Sequence, residues 1–397
     1  MEEHLNCVAT CRPGLESVLA EELERNGGRG VRVAKRAVHF GVDQSGLYRM
    51  NMVVRTAIQI LVPLRSFNAR DYKLLYFQSR RTNWHHYFTA DKTLRIDVNG
   101  RSKELRNTQY VVHRVKDGIV DTFRKLNDGV RPSISKEDPD IHIMVHLDGQ
   151  KVTLYLDSAG APLFKRGYRT RHGGAPLKED LAAGILQMAG IEEFPGLVDP
   201  MCGSGTFIFE GWMLLNNVAP NLNREFAFQH WEDYQEDLHV AEREKLVAEE
   251  CRKDGLEFVA TDNDEKVIGL AKSIQDEHFP EARIEWHHAS FQDVDRSLPA
   301  GLMVTNPPYG ERLGAEDDLL GLYRDLGFAA KRMVPGGRLA MFSTNRKAAK
   351  QIRLKSEGAR TLFNGALEGL LYQYNLRARD EGALPESPIV GISGKRN

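Results

Sequence analysis

From about residue 195 onward, short apolar runs recur at intervals that leave room for a helix between each: "LVD", "EFVATD", "RIEWHHAS", "LMVTN" and "RLAMFST". Parallel neighbours need a long crossover where antiparallel ones need only a turn, so strand, helix, strand repeated in this way specifies an α/β parallel sheet with helices on both faces. The last two runs, "ARTLFNGAL" and "LLYQYNLRA", are separated by a short turn only, which predicts an antiparallel hairpin at the sheet edge.

The upstream half is patterned differently. In "GLESVLAEELERNGG", Leu15, Val18, Leu19 and Leu23 share one helical face and a glycine pair ends the helix. "GVRVAKRAVHFGV" then alternates as a strand. From about 70 to 155 the order reads helix ("YKLLYFQSRR"), strand ("KTLRIDVNG"), helix ("VVHRVKDGIVDTFRKLND"), strand ("DIHIMVHLDG"), strand ("KVTLYLDS"). This divides the chain into a small α+β segment at 1–65, a second mixed segment at 66–160, a linker with the first helix of the next unit at 161–190, and the parallel-sheet domain at 191–397. A length of 397 residues suits more than one core.

Lys and Arg total 54 against 55 Asp and Glu, so no global positive field draws in a polyanion and any nucleic-acid contact must be local. The N-terminus lacks a basic segment followed by an apolar one, and no apolar run is long enough to span a bilayer, so a cytoplasmic protein is expected. The four cysteines, Cys7, Cys11, Cys202 and Cys251, lack C-x-x-C spacing and are expected to be buried or incidental, with no metal role.

Three places carry chemistry. "LVDPMCGSGT" ends a strand on Asp199 and turns through Gly203 and Gly205 into an apolar helix; glycine there permits tight backbone dihedrals and close approach of a ligand, although a plain turn explains such a loop equally well. It fits neither G-x-G-x-x-G nor the P-loop pattern. "FVATDND" ends the second strand on Asp262, placed to accept both hydroxyls of a ribose, while Asp264 suits the cap of the following helix. In "NPPYG", two prolines fix a rigid extended loop directly after the fourth strand.

Asp199 with the glycine loop, Asp262 on the next strand and Asn306-Pro307-Pro308-Tyr309 after the fourth, in that order, resemble class I S-adenosylmethionine-dependent methyltransferases of the amino-methylating type. The resemblance implies a Rossmann-like sheet in which the asparagine side chain and the first proline carbonyl accept from a planar amine while the aromatic stacks on the base. An exocyclic amine is a poor nucleophile because its lone pair is delocalised, so two acceptors that hold it in line favour tetrahedral character. Stacking by Tyr309 suits a base that is flipped out or unpaired.

The likeness narrows to the bacterial large-subunit ribosomal RNA methyltransferase L family, which modifies guanine N2 of 23S rRNA, through "RGYR" with "APLKEDLAA", "DPMCGSGT", "TNPPYGERLG", "RNTQY", "VKDGIVD" and "RPSI" with "PDIHIMVHLDG". It implies that 1–65 is ferredoxin-like and 66–160 a THUMP RNA-binding domain. It further implies a cofactor pocket made by Asp199, Met201, Cys202, Gly203, Gly205 and Thr206 of the loop, Asp262 and Asn263, and Ser290 and Phe291, with Pro176, Lys178 and Glu179 in its floor. Ser290 stands where relatives often carry an aspartate for the adenine amine, so either Ser290 or Asp293 takes that contact. Some relatives continue into another methyltransferase domain, so the chain is either stand-alone or half of a longer protein.

Lys165, Arg166, Arg169, Arg171 and His172, with Phe164 and Tyr168 interleaved, are expected to touch RNA, against the alternative of a solvated linker. Arg106 and Lys116 are weaker candidates, together with Arg80, Arg81, Arg101 and Lys103. "FAFQHWEDY" is read as an aromatic minicore. The expected reaction is methylation of guanine N2 in 23S rRNA; the rivals are the same chemistry on tRNA or on adenine N6, and a non-catalytic RNA-binding assembly factor.

Overall fold

The computed structural model describes residues 4–169, 177–308 and 316–378. Its upstream strands are β1 (Leu5–Cys11), β2 (Arg29–Ala34), β3 (Ala37–Val42), β4 (Ala57–Asn68), β5 (Thr93–Arg101), β6 (Ser133–Ile134), β7 (Ile141–Asp148) and β8 (Lys151–Asp157). They form one sheet in the order β2-β3-β1-β4-β8-β7-β5-β6. The long strand β4 joins the two upstream segments, pairing with β1 on one side and β8 on the other, and it runs across position 65, where a boundary was expected. Pro63 lies mid-strand, where a missing amide would ordinarily break a ladder, but the register against β8 shifts between Pro63 and Arg65, so a bulge absorbs it.

The stretch read as a single strand, residues 30–42, is instead a hairpin. β2 and β3 turn through Lys35 and Arg36, with Ala34 opposite Ala37 and Arg36 at φ 58°. Helix α1 (Glu16–Arg25) buries Val18, Leu19 and Leu23 as its spacing predicts, and the Gly28 amide closes its end on the Leu23 carbonyl at 2.8 Å. Helix α2 (Gln44–Val53) precedes β4, α3 (Tyr72–Arg80) follows it, and α4 (Thr108–Leu126) packs along α3.

The downstream sheet contains β9 (Gly196–Asp199), β10 (Glu257–Asp262), β11 (Ile284–His288), β12 (Leu302–Thr305), β13 (Arg338–Ser343), β14 (Ala359–Asn364) and β15 (Leu367–Asn375), in the order β11-β10-β9-β12-β13-β15-β14. The first five are parallel, and β15 inserts antiparallel between β13 and the edge strand β14, as the closing hairpin predicts. Period-two alternation covers both faces. Leu197, Phe258, Ala260, Leu302, Val304, Ala340 and Phe342 enter one core, whereas Val198, Val259, Met303, Leu339 and Met341 enter another.

Helices α5 (Glu179–Met188), α6 (Thr206–Leu215) and α8 (Glu265–His278) supply the first of these cores, and α9 (Glu316–Met333) the second; α7 (Glu236–Ala248) lies between α6 and β10 in the chain. The first core runs without a break into the upstream sheet. Leu15 packs so tightly on α5 that a Cβ at Gly184 would lie 2.6 Å from its Cδ2, and the buried Arg12 pairs with Asp180 at 2.7 Å. Phe226, Phe228 and Trp231 are buried; Phe228 lies 4.5 Å from the Tyr48 ring of α2, so the expected minicore exists and seals α2 against the segment before α7. Cys7, Cys11 and Cys202 are buried and Cys251 is exposed; burial lifts the thiols of Cys7 and Cys11 to about 12, which keeps them unreactive. Among the described residues no helix is long and apolar enough to cross a membrane.

Candidate active site

The strand order reverses at β9. Chain order runs from β9 to β10 and β11 on one side, then crosses to β12 and β13 on the other, which opens a crevice beyond the carboxyl ends of β9 and β12. Register places the singled-out residues along this edge. Asp199 pairs with Ala260, so Asp262 projects two residues further; Val198 pairs with Met303, so Asn306 follows two residues beyond the level of Asp199. Asp262 and Asn306 thus flank the glycine loop, roughly 10 Å apart at two strand spacings.

The loop is built tightly on one side and open on the other. The Cys202 amide donates to the Thr261 carbonyl at 2.9 Å, the Thr261 hydroxyl donates to the Pro200 carbonyl at 2.8 Å, and the Gly203 amide donates to Asp262 Oδ2 at 2.9 Å. Gly203 and Gly205 have φ of 52° and 79°, the left-handed region that glycine enters without strain. A Cβ at Gly205 would press on Phe209 and Trp286, both at 2.9 Å, whereas one at Gly203 would meet nothing within 4 Å among the described residues. Among the described residues, Gly203 therefore borders open space.

Asp262 Oδ1 accepts from the Asp264 amide at 3.0 Å, and Asp264 caps α8 by accepting from Lys266, as its position suggests. Asn263 is exposed beside them, and Met201 packs at the rim of the second core. Asp199 is fully buried and accepts from the Met201 amide at 3.2 Å. Burial holds its carboxyl well above the ordinary range; the Met201 amide opposes this and the charge of Asp262 adds to it. Burial likewise raises the Cys202 thiol, reinforced by the same two carboxylates.

Beyond β11, the Ser290 hydroxyl donates to Gln292 Oε1 at 2.8 Å within its own turn, and Asp293 is exposed. The ring of Phe291 enters the second core, where a large apolar side chain gains most from leaving water, so any part it takes at the cofactor falls to its backbone. Asn306 and Pro308 are half-buried and Pro307 is buried. Tyr323 of α9 secures this loop: its hydroxyl meets Ser343 Oγ at 2.7 Å and donates to the Pro308 carbonyl at 3.4 Å. It is a positioning residue that no local motif announces. Tyr309, like Pro176, Arg171 and His172, lies outside the described residues.

The basic cluster before α5 is the chief correction to the sequence reading. Lys165 is exposed, but Arg166, Tyr168 and Arg169 turn inward rather than toward RNA. Arg166 lies 3.5 Å from Glu210 of α6 and donates to the carbonyls of Leu163 at 2.6 Å and Arg55 at 2.5 Å; the Tyr168 hydroxyl donates to Glu210 at 3.0 Å. Burial lifts the Glu210 carboxyl and the guanidiniums of Arg166 and Arg55 pull against it. The reason is desolvation: an acid sealed inside an apolar helix must be paired, and these are the cations within reach. Arg169 bridges Glu179 at 3.2 Å to the Thr206 hydroxyl and the Leu177 carbonyl, tying the start of α5 to the end of the glycine loop. Lys178, the residue before α5, lies over the Phe164 ring at 5.8 Å. Among the described residues no group of three or more His, Cys, Asp or Glu side chains is arranged to hold a metal ion.

A doubly covered sheet with this strand order, an antiparallel end and acids flanking a glycine loop defines a Rossmann-like methyltransferase. Residues 166–373 match the RMKL-like methyltransferase domain, and the chain belongs to that family. Residues 69–157 match the THUMP domain and 6–61 the RlmL ferredoxin-like domain. A ribosomal RNA large subunit methyltransferase K/L of Marinomonas sp. (strain MWYL1) is 36% identical over 393 residues, which is 96% of this chain and 54% of that protein. The chain thus spans about half the length of the curated K/L relatives it matches. A putative RNA methyltransferase of Synechocystis sp., slr0064, is 35% identical over 372 residues, covering 93% of this chain and 96% of that protein. A solved structure of SMU.472, a putative methyltransferase complexed with SAH, has a TM-score of 0.85 at 27% identity and covers 96% of this chain and 100% of its own.

Proposed function

We propose that the protein methylates the exocyclic N2 amine of a guanosine in large-subunit ribosomal RNA, with S-adenosylmethionine as donor. The observation that carries the reading is the arrangement of Asn306-Pro307-Pro308 at the carboxyl end of β12, beside the glycine loop and Asp262, in a chain that also carries a THUMP domain. The pocket suits the donor: the space over Gly203 admits a ligand against the backbone, and the Asp262 carboxylate retains acceptor capacity for a ribose diol beyond its two amide contacts. When bound, S-adenosylmethionine supplies an electrophilic methyl carbon.

The protein's part is binding and orientation. Asn306 Oδ1 and the Pro307 carbonyl accept the two amine hydrogens, holding the nitrogen so that its lone pair leaves ring conjugation and points along the line of transfer. The amine would gain its C–N bond as the donor's methyl–sulfur bond breaks to leave the neutral thioether, and the proton the amine sheds would be led toward solvent by these same acceptors. Tyr323 keeps the loop at its height above β12. The Asp199 to Thr206 loop receives the amino-acid end of the donor, and Arg169 with Glu179 braces that loop from behind. A ribosomal substrate would place the protein in the cytoplasm.

Incubation with labelled S-adenosylmethionine and undermodified ribosomal RNA, followed by nucleoside mass spectrometry, tests this. Label in 2-methylguanosine is expected. Label in tRNA alone overturns the substrate, label on adenine N6 overturns the target amine, and cofactor binding without transfer favours an assembly factor. Asn306→Ala is expected to abolish transfer while leaving donor affinity intact, and full activity in that variant refutes the amine clamp.

A further inference from the structure

Helix α5 begins with two adjacent acids, Glu179 and Asp180, and both are buried. Burial strips a carboxylate of its hydration, so each needs a cation inside the fold. Successive helical residues point about 100° apart, and the two acids find different partners. Glu179 meets Arg169 at 3.2 Å, and Asp180 meets Arg12, in the turn after β1, at 2.7 Å. The first pair is local to the start of α5; the second brings in the far end of the chain.

Arg12 makes the first of three grips that the upstream segment takes on one face of α5. Positions 180, 184 and 187 stand at i, i+4 and i+7 and so share that face. Asp180 holds Arg12, Gly184 receives Leu15, and the Gln187 amide donates to Glu22 Oε1 of α1 at 2.8 Å. Glu22 in turn accepts from the Thr56 amide at 3.0 Å and the Thr56 hydroxyl at 2.6 Å, which anchors the grip on the strand connection behind it. The turn that carries Arg12 is itself wedged in place, since a Cβ at Gly14 would sit 2.5 Å from the Thr361 carbonyl oxygen of β14. The Arg12 guanidinium also lies 5.3 Å from the centre of the Phe164 ring, which Lys178 approaches at 5.8 Å.

The first turn of α5 is where this grip bears on chemistry. Glu179 fixes Arg169, and Arg169 donates to the Leu177 carbonyl and to the hydroxyl of Thr206, the residue that closes the glycine loop. A shift of α5 along or about its axis would carry Glu179 and Arg169 away from Thr206. We infer that Arg12 is a positioning residue for the donor pocket: through Asp180 it holds the first turn of α5, so that Glu179 and Arg169 keep the glycine loop in place. The upstream segment thereby completes the cofactor site through a chain of paired side chains rather than by contact with the donor. The inference rests on the reading that this loop receives S-adenosylmethionine.

The test is calorimetric titration of the full chain with S-adenosylmethionine, comparing the wild type with Arg12→Ala, Arg12→Lys and the double variant Arg12→Ala/Asp180→Ala. Arg12→Ala should weaken donor affinity by about fivefold, and Arg12→Lys, which keeps a cation opposite Asp180, should recover most of that loss. The double variant leaves no buried charge unpaired, so it folds even if Arg12→Ala alone does not, and it should show the same loss because the pair acts as a unit. A purely structural role would lower the melting temperature and the binding stoichiometry but leave the affinity of the folded fraction unmoved. Arg49→Ala breaks the ion pairs of α2 with Glu242 and Glu249, at 3.7 and 2.5 Å, which join the two parts of the chain through α7 rather than α5, and should leave donor affinity unchanged. Unchanged affinity in the double variant, or an equal loss in Arg49→Ala, overturns the assignment. If Gly203→Ala loses affinity and the Arg12 variants do not, the positioning role falls and the loop reading stands. If Gly203→Ala also matches the wild type, the loop reading falls with it.

Discussion

Gly203 and Gly205 share the left-handed backbone yet should respond oppositely to alanine. At Gly203 the new methyl meets no atom of the described residues within 4 Å, so folding bears the conformational penalty of φ 52°, about 1–2 kcal/mol. At Gly205 the same penalty is joined by a clash, since the methyl would lie 2.9 Å from both Phe209 and Trp286. Phe209 cannot easily yield: it stacks on Phe279 with centroids 4.7 Å apart and planes 11° apart. Overpacking of this kind adds about 1–3 kcal/mol, for a total of about 2–5 kcal/mol. Gly205→Ala should therefore melt well below the wild type. Gly203→Ala should melt close to it yet lose donor affinity by about tenfold or more, equivalent to about 1.4 kcal/mol, because its methyl fills the space the ligand needs. Thermal melts and calorimetric titration with S-adenosylmethionine measure both effects. Unchanged affinity in Gly203→Ala refutes the loop as the cradle.

Three further outcomes follow from buried charge. Glu210→Ala leaves the Arg166 guanidinium buried without its counter-charge and should cost about 3–5 kcal/mol in urea unfolding, whereas Lys165→Ala, one position away and exposed, should stay within about 0.5 kcal/mol. Burial raises the Asp199 carboxyl, and a cationic donor bound next to it should lower it again, so donor binding should release protons. Titration in buffers of different ionisation enthalpy would show that release, and Asp199→Asn should remove it. His142 is buried in the upstream sheet, and although burial lowers its pKa, hydrogen bonds and charge from Asp157 and Asp97, at 2.9 and 2.7 Å, win and raise it. A raised histidine contributes stability fully below its unfolded value of about 6.5 and loses it as pH rises through the folded value. The melting temperature should fall over that window, and His142→Gln should flatten the fall.

The downstream sheet was legible because its signals are local. Each strand is a short apolar run, each crossover is too long for a turn, and Gly365 stands in the single short turn that makes β14 and β15 antiparallel. Asp199, Asp262 and Asn306 were legible for the same reason: each sits at or just beyond the end of such a run, and parallel register brings those ends to one edge. The upstream sheet was harder to read. Lys35 and Arg36 carry no turn chemistry, so the β2–β3 hairpin resembles one strand, and Pro63 masks β4 unless the bulge that accommodates it is known.

Arg166, Tyr168 and Arg169 were singled out but given the wrong destination, and the sequence held the means to decide. Charges in a linker are solvated by default, and nothing in "FKRGYR" itself says otherwise. The deciding residue lies 44 positions downstream of Arg166, where "TFIFEGWMLL" sets one acid in an otherwise uncharged helix that leaves no polar face to aim at water. Such a carboxylate demands a cation from elsewhere in the chain. Arg166 answers it, and Arg55 reaches the same helix through the Met213 carbonyl. Arg166 and Arg169 are thereby engaged inside the fold, tying the upstream sheet and the start of α5 to the back of the glycine loop.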